Sequence, residues 1–278
     1  WKGVQWLDPL TRSRRHLRAV LLDASVLQIG GLSGNRTALA DDPDDASQVA
    51  QQLASSLGLL LPPTVWTASR DRFARLGAEL ALLAGHCGKI GQDIALMMQA
   101  EIGEIGEGLG AAESAAPLLM REAALRAPGL AATLLSSLPV EHEQGLGGWQ
   151  STWWTMRDLF GAAASGLLAA EECLGRLALQ PAAMRANLER FNGRIYADAV
   201  CQALTPKLGR TEARDLVAEL LVQAAERRLT LRQVLGRDGR IASLMSLGDL
   251  ERIFTPESRF AVDDPAIDRL LGLWEESR

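Results

Sequence analysis

Apolar residues recur along this chain in steps of three and four, the spacing of a helix that buries one face. From Phe73 they fall at Leu76, Leu80, Leu83, Cys87, Ile90, Ile94 and Met97. A second run reads Leu146, Trp149, Trp153, Met156, Phe160, Ala163, Leu167, Ala170, Leu174 and Leu177. Both have the regularity of bundle seams and predict two long helices, over residues 68–105 and 145–178. If the first register continues, Glu101 and Glu104 take seam positions, although a helix end reaching solvent or salt bridges explains them as well.

Shorter elements surround these two. Residues 1–20 carry a helical pattern in which Pro9 suits only a turn or a kink. The aspartates at 41, 42, 44 and 45 look like the solvated start of a helix that ends near Leu57, before Gly58 and Pro62-Pro63. Pro128 and Pro139 are read as ends of two successive helices between the seams. Beyond Pro181 the helices shorten, at 182–188, 192–204, 211–228, 230–236, 246–253 and 264–276, and Ser246 to Asp249 has capping-box spacing. Scarcely any alternating β-type run occurs. The expectation is an all-α protein with a long-helix bundle domain over 1–180 and a smaller C-terminal helical domain over 181–278. Two seams of this length exceed what one chain can cover, so an oligomeric bundle is expected.

Composition narrows the partners. Of 278 residues, 47% are hydrophobic and 23% charged, and the net charge is −5. With Lys and Arg scattered among acids there is no basic patch, so neither nucleic acid nor a lipid surface is an expected partner. No apolar run reaches the roughly 18 residues of a membrane span, and the start lacks a signal-peptide layout, which predicts a cytoplasmic protein. Cys87, Cys173 and Cys201 are far apart and odd in number, as expected of reduced packing residues. His16, His86 and His142 form no metal-ligand spacing, so no metal site is expected.

Four places suit chemistry, each with a plainer alternative. His142 sits at a helix end beside the Trp-rich seam, suited to acid–base work, though histidines at helix ends are more often surface residues or caps. Arg70, in Ser69-Arg70-Asp71-Arg72, has the residue type that clamps a carboxylate, but the cluster also reads as exposed salt bridges. The loop from Gln28 to Asn35 exposes backbone N–H groups without a GxGxxG or Walker spacing. Trp149, Trp153 and Trp154 suit an apolar pocket, although aromatic stripes at helical spacing are usually core.

In order, the chain resembles the fumarase and aspartase superfamily, and within it the family of 3-carboxy-cis,cis-muconate cycloisomerases. The resemblance is carried by the Trp6 segment, Leu27 to Gly34, Trp66 to Arg72, Gly88-Lys89-Ile90 and Met98 to Glu104. It continues through Glu141-His142-Glu143, Gly147 to Trp153, Met184 to Leu188 and Pro206 to Arg210. It implies a homotetrameric helix bundle and a cofactor-free reaction, in which a carboxylate adds across a double bond of a small carboxylated substrate with proton transfer. By the same resemblance His142 is the acid–base or substrate-contacting histidine. Arg70 and Gln28 contact carboxylates, Ser33 lies in the substrate-binding loop, and Trp6, Trp149 and Trp153 form pocket walls.

Two departures go with it. The family's N-terminal helical region, with a further active-site histidine, has no counterpart here. Its signature loop, G-S-S-x-M-P-x-K-x-N, should follow Glu104, whereas Gly106 to Pro117 contains no Ser-Ser, Met-Pro or lysine. The continued similarity on both flanks favours these pieces lying outside the sequence. The other expectations are a non-catalytic oligomeric scaffold, or another superfamily lyase releasing a fumarate-like product from an amine or nitro donor.

Overall fold

The apolar periodicity is realised as helices. A computed structural model describes residues 1–31, 34–36, 39–107, 115–143, 145, 147–259 and 264–277. The chain forms two units, one of residues 1–96, 107–178 and 269–278, the other of residues 97–106 and 179–268.

The first unit contains α1 (Lys2–Ala24), α2 (Pro43–Leu57), most of α3 (Asp71–Met97), α4 (Ala116–Ser136) and α5 (Gly148–Gly175). Helix α2 starts as its aspartates predict. Asp42 accepts from the backbone N–H groups of Asp44 and Asp45 at 2.8 and 3.2 Å, and the helix stops at Gly58, whose φ of 66° suits glycine. The α3 seam is buried at Leu76, Leu80, Cys87, Ile90 and Ile94. Its core joins Leu76, Leu80 and Ala84 to Ala123, Ala127 and Leu134 of α4 and to Met156, Leu159 and Ala163 of α5. Small residues bring the helices close: a Cβ on Gly88 would collide with that of Ala124, and one on Gly91 would lie 2.9 Å from both Met120 Cβ and the Pro117 carbonyl.

Four expectations change. Pro9 sits inside a continuous α1, and Pro128 inside a single α4, where burial of Ala123, Ala127, Ala131 and Leu134 outweighs the local cost of proline, about 3 kcal/mol. Helix α3 ends at Met97, so Glu101 and Glu104 do not extend its seam; Glu101 is exposed, and Glu104 accepts from Asn187 Nδ2 at 2.9 Å. In α5 the predicted seam divides. Met156, Ala163 and Ala170 are buried, whereas Trp153, Phe160, Leu167 and Leu174, seven residues apart, are 59%, 41%, 46% and 39% exposed. Leu146 of that seam lies outside the described residues.

The second unit is built of α6 (Pro181–Arg190), α7 (Ala197–Leu208), α8 (Arg210–Glu226), α9 (Leu231–Arg237), α10 (Gly239–Leu244) and α11 (Leu247–Phe254). Val200, Leu204, Val217, Leu220, Leu235 and Ile241 form its core. Capping boxes open α9 at Thr230/Gln233 and α11 at Ser246/Asp249. Helix α12 (Pro265–Glu276) ends the chain; within the first unit its Trp274 lies 4.8 Å beneath the Arg14 guanidinium of α1. The β structure among the described residues is two three-residue strands, Ile105–Glu107 and Leu177–Leu179, and an isolated parallel bridge between Val26 and Leu60. Among those residues, no helix is long and apolar enough to cross a membrane.

Candidate functional site

The site lies in the first unit, where the chain entering α3 faces the first turns of α5. Between them is a cavity of about 410 Å³, within the range of small-molecule sites, roughly 300–1,000 Å³. Trp66, Phe73, Trp149, Trp153 and Met156 make it apolar; Gln28, Thr67, Arg70 and Thr152 are its polar side chains.

Its entry wall is shaped by the glycine-rich loop. The Leu27 backbone N–H donates to the Leu60 carbonyl at 2.8 Å, and Gly30 and Gly34 lie so near Val65 that a Cβ on either would strike its methyl groups. That approach sets Gly31 on the cavity wall. The Gln28 amide is spent on the same segment: Nε2 donates to Thr67 Oγ1, and Oε1 accepts from the Trp66 backbone N–H at 3.1 Å. Trp66 donates through Nε1 to the Leu27 carbonyl at 3.2 Å and meets Phe73 at 4.8 Å between ring centroids. Opposite, Trp149 and Trp153 meet edge-on at 4.5 Å, and Trp153 lines the cavity while remaining largely exposed.

Arg70 sets the electrostatics. Of the Ser69–Arg72 cluster, the salt-bridge reading holds for two members: Asp71 pairs with Arg75 at 2.8 Å, and Arg72 with Asp23 at 3.3 Å. Arg70 behaves differently. It is only 4% exposed, its Nε donates to the Thr67 carbonyl at 2.8 Å and its Nη1 to Thr152 Oγ1 at 3.3 Å. The guanidinium carbon stands 6.0 Å from the Trp149 ring centre. Among the described residues no carboxylate lies within ion-pairing distance of it. Burial pushes its pKa below the usual arginine value, yet a guanidinium stays cationic in proteins. A buried cation with neutral partners is costly, and an entering anion relieves that cost.

The other predicted residues lie elsewhere. Trp6 does not line the cavity; its Nε1 donates to Asp93 Oδ2 at 2.9 Å. His142 is exposed in the turn before α5, with φ of 53°, and is not on the cavity wall. Ser33 lies outside the described residues, as do 108–114 of the segment where the signature loop is expected. The structure brings Gln28, Arg70, Trp149 and Trp153 together and adds Trp66, Thr67, Phe73, Thr152 and Met156. Phe73 and Met156 read as core from their seam positions. Thr152 carries no signal of its own, since its partner is 82 residues away. Among the described residues no group of three or more His, Cys, Asp or Glu side chains is placed to hold a metal ion.

Residues 3–116 match the family described as Lyase, and residues 193–269 that described as Adenylosuccinate lyase C-terminus. The chain is 38% identical over 261 residues to 3-carboxy-cis,cis-muconate cycloisomerase of Pseudomonas aeruginosa, across 90% of this chain and 56% of that one. It is 34% identical over 285 residues to the enzyme of the same name from Bradyrhizobium diazoefficiens, across 99% of this chain and 62% of the relative. The crystal structure of 3-carboxy-cis,cis-muconate lactonizing enzyme from Pseudomonas putida superposes with a TM-score of 0.92 at 33% identity, across 99% of this chain and 63% of that one. The chain therefore spans between 56% and 63% of the length of these relatives.

Proposed function

Starting from a chain that belongs to the fumarase/aspartase lyase superfamily, we propose that this protein is a cycloisomerase interconverting a carboxy-muconate and its lactone in aromatic-acid breakdown. The observation that carries the reading is Arg70, a buried guanidinium in an aromatic cavity with no acidic partner among the described residues. A planar, conjugated polycarboxylate matches both parts: a carboxylate for the cation, and a flat diene for Trp66, Phe73 and Trp149.

In the lactonising direction a substrate carboxylate oxygen bonds to one carbon of a double bond, and the π pair moves to the adjacent carbon, which takes a proton. Arg70 holds a carboxylate and stabilises the charge that develops on it. The aromatic walls exclude water and hold the diene plane. Gln28 anchors the segment that presents Thr67 and stands at the cavity edge beside the substrate. His142, exposed and off the wall of this cavity, is assigned proton transfer or substrate contact on the strength of its place in the block that resembles the family. On the same resemblance Ser33 is a loop contact and Trp6 a wall residue, although Trp6 lines no part of the Arg70 cavity and bonds Asp93 instead.

The enzyme is proposed to be a cytosolic homotetramer acting without a cofactor. Its self-association is supported by the exposed line of Trp153, Phe160, Leu167 and Leu174, the heptad face of a helix made to pack against others. A second reading, a non-catalytic scaffold of the same fold, is favoured by the lack of Ser-Ser, Met-Pro and lysine between Gly106 and Pro117. Incubation of the full protein with 3-carboxy-cis,cis-muconate separates these. Loss of the diene absorbance with appearance of a lactone is the expected outcome. Inertness toward that substrate, with release of fumarate from an amine or nitro adduct, identifies another lyase, and inertness toward both identifies the scaffold.

A further inference from the structure

Arg70 has five N–H donors arranged on two bidentate edges: Nε with Nη2, and Nη1 with Nη2. The first edge is closed, because Nε–H is bound to the Thr67 carbonyl at 2.8 Å. Nη1 gives one hydrogen to Thr152 Oγ1 at 3.3 Å, and among the described residues Nη2 has no acceptor. That leaves the second Nη1 hydrogen and both on Nη2 for an entering anion, with Trp149 6.0 Å from the guanidinium carbon.

Thr152 is suited to hold that arrangement. It lies in the second turn of α5, 8% exposed, and its own hydroxyl hydrogen goes to the Gly148 carbonyl at 3.2 Å. With the hydrogen committed along the helix, an Oγ1 lone pair is left for Nη1. The guanidinium plane is thus pinned at two points contributed by different elements, the Thr67 carbonyl before α3 and the Thr152 hydroxyl on α5.

We propose that Thr152 is a positioning residue that turns the Nη1–Nη2 edge of Arg70 into the cavity, so that the site takes a planar carboxylate end-on rather than side-on. The proposal rests on the reading of Arg70 as the carboxylate contact. It deepens that reading by naming what selects the edge presented. A substrate whose carboxylate lies in the plane of its diene can then stack along the aromatic walls while forming both hydrogen bonds. One whose carboxylate is twisted out of that plane loses one of them.

The test is calorimetric binding of trans,trans-muconate, a planar dicarboxylate, and of its uncharged diamide to the full protein. Thr152→Val keeps the side-chain volume and removes the acceptor; it should weaken binding of the diacid about tenfold, the scale of a hydrogen bond to a charged group. Thr152→Ser should bind within about threefold of the original. Neither should change affinity for the diamide, which a merely structural disturbance of the pocket would alter. In an Arg70→Met background the Val substitution should have no further effect on the diacid. Diacid binding unchanged in Thr152→Val but lost in Arg70→Met overturns the positioning role and leaves the carboxylate contact standing. Binding unchanged in Arg70→Met, or absent from the original protein, overturns the carboxylate contact and the positioning role with it. Should Thr152→Val fail to fold, Thr152→Ala against Thr152→Ser makes the same comparison, with equal affinities for the diacid overturning the proposal.

Discussion

At Arg70 the demands of folding and of binding diverge. Its charge is buried with a carbonyl, a hydroxyl and an indole face for company, and an apolar side chain of similar length should sit there at least as comfortably. Arg70→Met is therefore expected to leave the melting temperature unchanged or raise it by a few degrees, while kcat/KM for the carboxy-muconate falls at least about a hundredfold. A melt and a steady-state assay on one preparation check both, and a variant that is destabilised yet active would refute the assignment. His142 is tested differently because its backbone has φ of 53°, a region that asparagine enters readily. His142→Asn should keep the turn and change stability by no more than about 0.5 kcal/mol. Turnover should drop roughly a hundredfold or more if the imidazole transfers the proton. From the sequence, the residue types at both positions were legible, because arginine and histidine announce their chemistry. Burial of Arg70 without a counter-ion among the described residues was not, since Asp71, next to it, turns instead to Arg75.

Among the helices, two contacts carry specific consequences. Asp93 of α3 accepts from Trp6 Nε1 at 2.9 Å and from Lys89, with Lys2 at 3.7 Å, and so fastens α1 to α3. Burial alone would raise its pKa, but the Lys89 and Trp6 hydrogen bonds and the two lysine charges outweigh it, leaving the carboxyl below its usual value. The stabilisation is thus complete above the unfolded-state value, about 3.9, and disappears as pH falls through the lower folded-state value. In urea titrations, the stability gap between the original protein and Asp93→Asn should be constant above about pH 5 and narrow below about pH 4. A gap independent of pH down to 2 would show that the charge is irrelevant to the fastening. The second contact is the close approach of α3 and α4 at Gly88, where a Cβ would meet that of Ala124. Gly88→Val should cost about 1–3 kcal/mol by overpacking, seen as a melting temperature lower by roughly 3–10 °C. Helix existence was readable along the chain, but the continuity of α4 through Pro128 was not, because its compensation comes from neighbouring helices.

For the molecule as a whole, the exposed heptad line on α5 is the feature with the widest consequence. Leu167 stands at its middle, 46% exposed, and an isolated surface leucine needs no partner, but one aligned with Trp153, Phe160 and Leu174 does. On the proposed self-association, Leu167→Glu is expected to lower the mass measured by light scattering while leaving helical circular dichroism unchanged. An unaltered mass would show that this line is not the contact between copies.

What the sequence alone determined is the class of structure: helical period and capping residues are properties of near neighbours, and they predict α2, the α3 seam and the α11 cap to within a few residues. Which half of the α5 seam is buried, which arginine of a cluster finds no acid among the described residues, and that Thr152 meets Arg70 across 82 residues were decided only by tertiary structure. The reason is physical. A heptad of apolar residues specifies that a face must be covered without saying by what. A guanidinium likewise takes whichever acceptor the packed helices bring within about 3 Å.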